Sequence, residues 1–293
     1  MALEINFIAF LPLTCDNIYS EGTVLYFIVQ CFFSQVFICI VVFFWLCYEY
    51  QENILLIALS SKIGLPPVHK WYIKVVRFFS WETNIVLIVL QKWGPLHLLS
   101  QCIWGSSLFL LYGLIILSRV IGSSGAFINR NLFTVIAYSS VSHMSWMCVG
   151  ILVDWGTWWI LYFLIYGLVS VPLLLAFGKF SIGHISSLYI INSFDILPLW
   201  INFIRVGGLP PTLGFFGKLF LINNIVINGI IGLVVFLVVV NLISVYLYFR
   251  ITWNIMIVSN VIYKPMRSTM RVFRFDVFLI FLNFMSFIFI PLI

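Results

Sequence analysis

Three lysines lie well inside long apolar runs of this sequence: Lys62, Lys92 and Lys218. A charged side chain deep in a bilayer is energetically costly, so such residues usually face a protein interior or a water-filled cavity, where they mark ion or proton pathways. The competing explanations are a side chain that extends to the membrane surface and a structural ion pair. Because the runs hold three such lysines without three matching acids, the sequence favours a pathway.

A lysine held between two opposing effects is suited to proton transfer. Removal from water favours the neutral amine, whereas a nearby carboxylate favours the charged form. Glu4, in the first apolar run, is the carboxylate that is free to be this partner. Arg205 lies in another apolar run and Asp195 at the start of one, and for these two the surface-reaching and ion-pair explanations stay open.

Two histidines are further candidates for the pathway. His69 lies close to Lys62 in the sequence, and His143 stands in the middle of an apolar run. A lone buried histidine is often only a hydrogen-bonded core residue, but histidine also gains and loses a proton near neutral pH. Since both lie within reach of the lysine-bearing segments, we keep both as candidate relay residues.

The sequence Gly-Leu-Pro-Pro occurs twice, at residues 64–67 and 208–211. Proline removes a backbone donor and collides with the preceding helical turn, so a membrane helix breaks at each copy. Lys62 stands two residues before the first copy, and Lys218 stands seven residues after the second. Paired interruptions in corresponding positions of two halves are typical of a transporter's ion path. We therefore predict two broken helices in inverted halves.

The composition places these segments in a membrane. Of the 293 residues, 63% are apolar and 18% aromatic, and only 8% are charged, against roughly a quarter in soluble domains. Too few charges are present to cover a soluble fold, and the aromatic content excludes disorder. The strict alternation of a membrane β-barrel is absent. The predicted class is an all-α integral membrane protein.

Apolar runs of about 20 residues are long enough to cross a bilayer as helices. Nine such runs and a shorter one before them predict about ten transmembrane helices in a single domain over residues 1–293. The predicted helices cover residues 2–14, 24–48, 54–77, 84–101, 103–121, 131–153, 155–177, 194–222, 228–250 and 274–293.

The basic residues sort to one side of this predicted topology. When loops are assigned alternately to two sides, 11 of the 15 lysines and arginines fall on one side and none on the other. By the positive-inside rule, the basic loops face the cytoplasm or the mitochondrial matrix, and both termini lie opposite. This bias explains the net charge of +6 without a nucleic-acid partner. The eleven are Lys70, Lys74, Arg77, Arg119, Arg130, Lys179, Arg250, Lys264, Arg267, Arg271 and Arg274.

The sequence patterns of nucleotide, metal and haem sites do not occur. The six cysteines form no C-x-x-C pair and have no histidine at zinc spacing. A G-x-G-x-x-G fingerprint and a P-loop are also absent from the sequence. We therefore expect no cofactor on this chain.

Four motifs carry a resemblance to a known family. Residues 62–71 resemble the K-x-G-x-x-P-x-H-x-W segment of the antiporter-like membrane subunits of respiratory complex I. Gln91-Lys92 matches the lysine of the family's next helix, and residues 137–146 are close to its A-Y-S-S-x-x-H-M-x-W run. Residues 207–218 look like its G-G-L-P-P-x-x-G-F-x-x-K segment. The match covers about residues 2–250 and most resembles the mitochondrial chain 2 type.

The resemblance implies a proton-pumping subunit of the membrane arm, in the mitochondrial inner membrane. It assigns Lys62, Lys92 and Lys218 to the lysine relay, and Glu4, in a segment like the family's E-M-N start, to a pair with Lys62. It implies that NADH, flavin, iron–sulfur clusters and ubiquinone bind to other subunits. The implied partners are other membrane-arm subunits, including antiporter-like neighbours, and membrane lipid.

The sequence departs from the family pattern in three places. Lys74 replaces an acidic residue, and the basic residue usually found just before A-Y-S-S is absent from 132–136, although Arg130 is close. The match also begins almost at Met1, where the run 2–14 is shorter than a full crossing. We therefore expect another polypeptide, either a fragment of a split chain or an accessory subunit, to cover this end.

The residues leave two other functions open. A free-standing cation/proton antiporter would use the same lysines but need no partners. A structural membrane subunit that has lost pumping would keep the fold alone. The retained lysines count against the structural alternative, because a purely structural core would gain from leucine or methionine in their place.

Overall fold

The computed structural model describes residues 20–43, 51–102, 108–153, 158–190, 193–210 and 212–261. These residues are mainly helical, and their one β-type pairing is the isolated bridge between Asn131 and His184. The predictions for 2–14 and 274–293, and for Glu4, fall outside the described residues. The α-helices are α1 (Ser20–Phe43), α2 (Gln51–Ile63), α3 (Lys70–Phe78), α4 (Trp81–Ile85), α5 (Gln91–Cys102), α6 (Leu108–Ile128), α7 (Leu132–Val153), α8 (Trp158–Phe180), α9 (Ser193–Gly207), α10 (Leu213–Ile227) and α11 (Ile231–Val261).

The chain divides into two compact units, residues 1–129 with 133–160, and residues 130–132 with 161–293. In the first unit, α1 packs against α2 and α3, and α2 packs against α5. In the second unit, α9, α10 and α11 pack against one another. The single domain predicted over 1–293 stays a prediction.

Five of the described helices are long and apolar enough to cross a membrane. They are α1, α6, α7, α8 and α11. Their ends lie within a few residues of the predicted ends, except that α6 and α11 extend further at their carboxyl ends. Of the five, α7 is almost wholly buried within the structure. The all-α membrane class predicted from composition is confirmed.

The first Gly-Leu-Pro-Pro copy ends α2 at Ile63, and the chain resumes as the short helix α3 at Lys70. The amide of Gly64 donates to the Ser61 carbonyl at 3.2 Å, and the amide of Leu65 donates to the Ser60 carbonyl at 2.9 Å. This pair of bonds is a Schellman cap, which needs a left-handed residue just after the helix. Gly64 supplies it with a φ of +86°. The predicted break is confirmed.

The second copy ends α9 at Gly207 with the same cap. The amide of Gly208 donates to the Arg205 carbonyl at 3.1 Å, and that of Leu209 donates to the Ile204 carbonyl at 3.3 Å. Gly208 has a φ of +73°. The span predicted at 194–222 is therefore two helices, as is the span predicted at 54–77. Both breaks use the same Schellman cap with a left-handed glycine. The inverted relation of the two halves stays a prediction.

Of the basic residues predicted in loops, Arg119 and Arg250 lie well inside long helices. Arg119 is in the middle of α6 and is only 1% exposed, and Arg250 lies in α11, which continues to Val261. The helix α6 continues past Arg119 because small residues let it pack closely on α7: a Cβ at Gly122 would lie 2.6 Å from the Ser142 backbone nitrogen. Gly122, three residues after Arg119, therefore marks a close contact between α6 and α7.

Other members of the basic set are solvent-exposed. Lys70, Lys74 and Arg77 lie on the exposed face of α3, whose opposite face is buried. Arg130 lies exposed between α6 and α7. Lys179 is exposed in the last turn of α8. Which side of a membrane they face stays a prediction.

Candidate functional site

Lys218 is buried in the second unit and is bonded to the end of the broken helix. It lies on α10 and is 3% exposed. Its Nζ donates to the Gly207 carbonyl oxygen at 2.8 Å and to Asn241 Oδ1 on α11 at 2.9 Å. The Gly207 carbonyl is the last of α9, where freed carbonyls make the helix terminus negative. The second break therefore provides an oxygen site for an ammonium group.

The glycine at this break leaves space for the lysine. A Cβ on Gly208 would lie 2.7 Å from Lys218 Nζ. Gly208 therefore serves two purposes, because its backbone takes the left-handed conformation of the cap and its missing side chain admits the amine.

Lys92 is buried in the first unit, at the second position of α5, and is 3% exposed. Its Nζ donates to Ser140 Oγ on α7 at 3.1 Å and lies 4.5 Å from the centre of the Tyr72 ring. Among the described residues these are its polar and aromatic contacts, and neither is a carboxylate. A neutral hydroxyl and a π face therefore hold this amine.

Lys62 lies in the last turn of α2 and is 6% exposed. Its own carbonyl accepts from Gln30 Nε2 on α1 at 3.3 Å, and the Ser61 carbonyl accepts from the Trp71 indole at 3.1 Å. Side chains from α1 and α3 thus satisfy the carbonyls that the first break frees. Because α2 packs against α5, Lys62 and Lys92 lie on neighbouring helices.

The two candidate histidines differ in burial. His69 lies just before α3 and is half-buried, with Nδ1 3.3 Å from the Pro67 carbonyl oxygen. Its ring centre lies 6.2 Å from that of Tyr138. His143 lies on the buried helix α7 and is 7% exposed. The structure therefore places His143, and not His69, in the interior of the unit.

The remaining candidates take different positions. Arg205 is 2% exposed in the last turn of α9 and donates to Asn202 Oδ1, one turn earlier, at 3.3 Å. Asp195 lies in α9, and its side chain is outside the described part. The predicted Glu4–Lys62 pair also lies outside it, because Glu4 precedes Ser20.

Sequence reasoning missed one of the buried cations and the neutral groups around the lysines. Arg119 donates to the Ser142 carbonyl at 3.3 Å and lies 5.4 Å from the Trp146 ring centre. Tyr72, Ser140 and Asn241 are the missed neutral groups. The serine-rich stretch 139–145 in an apolar run was the available signal.

Comparison with known proteins gives a family. A family model described as "NADH:quinone oxidoreductase/Mrp antiporter, TM" matches residues 45–244. The chain is 30% identical over 274 residues to NADH-ubiquinone oxidoreductase chain 2 of Anopheles gambiae, covering 88% of this chain and 79% of that one.

Two solved structures share the fold. A chain of respiratory complex I from Thermus thermophilus superposes with a TM-score of 0.73 at 18% identity, covering 99% of this chain and 74% of that one. A chain of the Mrp complex from Dietzia sp. DQ12-45-1b gives a TM-score of 0.69 at 18% identity. That match covers 79% of this chain, which spans 50% of the Mrp chain. At these identities the likeness shows the fold alone.

Proposed function

Because this chain belongs to the NADH:quinone oxidoreductase/Mrp antiporter transmembrane family, we propose that it is a proton-translocating membrane-arm subunit of mitochondrial NADH–ubiquinone oxidoreductase, respiratory complex I. Protons pass through its buried lysines while NADH oxidation and ubiquinone reduction occur on other subunits. The name of the relatives, a numbered chain of an oxidoreductase, favours a subunit over a free-standing antiporter.

One observation carries the proposal: all three lysines selected from the sequence are buried, at 6% exposed or less. Two lie at or beside a helix break: Lys62 precedes the first cap, and Lys218 is bonded to the second. A purely structural interior would be cheaper to build from apolar side chains. Buried amines with polar partners are instead what a proton relay requires.

The proposal gives each candidate a role. Lys62, Lys92 and Lys218 hold and release protons in turn, and Glu4 pairs with Lys62 to bias its charge. His69, at the half-buried connection, and His143, in the interior, pass protons to or from the lysines. A change in the Glu4–Lys62 distance, driven by quinone reduction elsewhere in the complex, starts the sequence.

The proposed setting follows from the family. The subunit lies in the mitochondrial inner membrane beside other membrane-arm subunits, including antiporter-like neighbours. The basic loops and the exposed face of α3 face the matrix, and both termini face the intermembrane side. NADH, flavin, iron–sulfur clusters and ubiquinone are assigned to other subunits.

The test is proton transfer by the intact complex carrying Lys218→Met. This substitution keeps an unbranched side chain one atom shorter and removes the charge and the donors. In sealed vesicles that contain the purified complex, we expect NADH-driven proton uptake to be lost while the chain still co-purifies with its partners. Lys179→Met is the matched control, because Lys179 is exposed at a helix end, and it should leave uptake unchanged.

The outcomes separate the three candidate functions. Unchanged uptake by Lys218→Met, in a fully assembled complex, would support a structural subunit. A chain that purifies without other subunits and still exchanges cations for protons would support the free-standing antiporter. Loss of uptake with assembly retained supports the proposal.

A further inference from the structure

Ser140 joins three helices of the first unit through its hydroxyl group. Its Oγ donates to the Ala137 carbonyl at 2.7 Å, accepts from Lys92 Nζ at 3.1 Å, and lies 2.8 Å from the Tyr72 hydroxyl. A serine hydroxyl has one proton and two lone pairs. Because the proton is directed to Ala137, the tyrosine and the lysine both donate, and the bonding capacity of the hydroxyl is full.

Other buried serines of α7 provide a comparison for the hydrogen bonds of Ser140. Ser139, Ser142 and Ser145 each donate to the carbonyl three residues earlier, at 2.6 to 2.8 Å. Ser140 makes that same bond and also receives a lysine and a tyrosine. Its additional contacts are therefore specific to its place on α7.

Tyr72 holds the lysine in two ways. Its ring face lies 4.5 Å from Lys92 Nζ, and its hydroxyl bonds to the same serine that accepts from that lysine. The ring of an aromatic residue attracts a cation, and the attraction is larger where water is excluded. Tyr72 is fully buried, at 2% exposed, so water does not weaken the contact.

The first break fixes the position of Tyr72. A Cβ on Gly64 would lie 2.8 Å from the Tyr72 Cβ, so the base of the tyrosine side chain packs directly on the cap glycine. The preceding residue, Trp71, is bonded to the Ser61 carbonyl at the end of α2. A displacement of the break would therefore move Tyr72, and with it the groups that hold Lys92.

We propose that Tyr72 and Ser140 are positioning residues for Lys92, and that they tie its amine to the helix break that follows Lys62. The hydroxyl group of Ser140 accepts from the lysine in the ammonium form and can also remain bonded to the neutral amine, which still carries N–H groups. The lysine thus keeps its place while its charge changes. This inference rests on the proposed proton relay and adds the device that couples two of its lysines.

Several ionisable groups lie on the elements packed around this site, and one of them, Tyr26 on α1, is bonded to Gln91 beside the lysine at 3.2 Å. The others include Glu52 and Lys62 on α2, Lys70, Lys74 and Arg77 on α3, His97 on α5, and Tyr138 and His143 on α7. A change of pH response in variants of Ser140 therefore has to be compared with the unmodified complex under identical conditions. These groups stay the same in both.

The test measures NADH-driven proton uptake and its pH profile in vesicles that contain the complex with Ser140→Ala. We expect uptake to fall about tenfold and the profile to move by about one unit to lower pH, the size of a lost hydrogen bond to a charged group. Ser140→Thr, which restores the hydroxyl, should recover both. Ser139→Ala is the matched control, because it removes a buried serine that bonds only to its own helix.

Tyrosine variants separate the ring from the hydroxyl. Tyr72→Phe keeps the ring beneath the lysine and should show a smaller fall in uptake than Ser140→Ala, whereas Tyr72→Leu removes both and should show at least as large a fall. Tyr72→Phe also carries the test if Ser140→Ala does not assemble, since it removes a single oxygen atom.

Two results would overturn the proposal, and they separate failure of the positioning role from failure of the relay. If Lys92→Met stops proton uptake but Ser140→Ala and Tyr72→Phe behave like Ser139→Ala, this inference is wrong and the relay stands. If Lys92→Met itself leaves uptake unchanged, the relay is wrong, and the positioning role fails with it.

Discussion

The two helix breaks share a backbone cap but use it differently. At the second, the last carbonyl of α9 bonds to Lys218 directly, with Asn241 as a second oxygen. At the first, the carbonyls are bonded to Gln30 and Trp71, and the neighbouring lysine, Lys92, lies instead against a hydroxyl and a ring. Carbonyl and amide oxygens only accept, whereas a hydroxyl can accept or donate.

The buried lysine also lies on opposite sides of the two breaks. Lys62 precedes the first cap by two residues, and Lys218 follows Gly208 by ten. The residue ten positions after Gly64 is Lys74, which is exposed on α3. The two halves therefore share the cap but place their buried amines independently. The oxygens at the second break match the ammonium ion of Lys218. Near the first break, the Ser140 hydroxyl can hold the Lys92 amine in both its charged and its neutral form.

The largest expected effect comes from an alanine at each cap glycine. Both residues are left-handed, which costs about 1–2 kcal/mol for a side chain. Gly64→Ala also meets the Tyr72 Cβ, which cannot move aside, so we expect lower thermal stability of the complex together with lost proton uptake. Gly208→Ala meets the flexible end of Lys218, so it should stop uptake with a smaller loss of stability.

Gly229→Ala is the control for backbone strain. Gly229 has a φ of +77°, and no atom of the described residues lies within 4 Å of a Cβ placed there. If it stops proton uptake as Gly208→Ala does, strain alone explains the effect and the contact with Lys218 is not needed. Uptake close to normal would assign the effect to the displaced amine.

A smaller effect is expected from Asn241→Leu, which removes the amide oxygen bonded to Lys218 and keeps the Gly207 carbonyl. Loss of a hydrogen bond to a charged group is worth roughly 1.5–3 kcal/mol, so proton uptake should fall by about tenfold or more. Asn224→Leu is matched to it, because within the described residues the Asn224 side chain bonds to the Phe220 carbonyl of its own helix. Equal uptake in the two variants would contradict a role for Asn241.

The smallest effect is expected from Trp71→Phe, which removes the indole donor to the Ser61 carbonyl at the first break. We expect a loss of about 1 kcal/mol in stability, measured as a lower thermal midpoint, and a modest fall in uptake. Trp253→Phe, at an exposed position of α11, should change neither. An unchanged midpoint for Trp71→Phe would show that the first break does not depend on this bond.

The features that depend on nearby residues in the chain could be predicted from the sequence. Both breaks follow from glycine and proline in an apolar run, and the burial of Lys62, Lys92 and Lys218 follows from their positions within such runs. The partners of those lysines could not be predicted, because Ser140 and Asn241 reach them through the packing of segments distant in the chain. Arg119 was assigned to a loop, whereas it lies in the middle of α6, which packs closely on α7 at Gly122.

The most direct test of the account is the number of protons moved per NADH oxidised by the assembled complex carrying Lys92→Met. Methionine fills the volume between Tyr72 and Ser140 but carries no proton. The account predicts that proton movement through this subunit is lost, so the ratio falls or coupled turnover stops while the complex stays assembled. An unchanged ratio at an unchanged rate of NADH oxidation would contradict it.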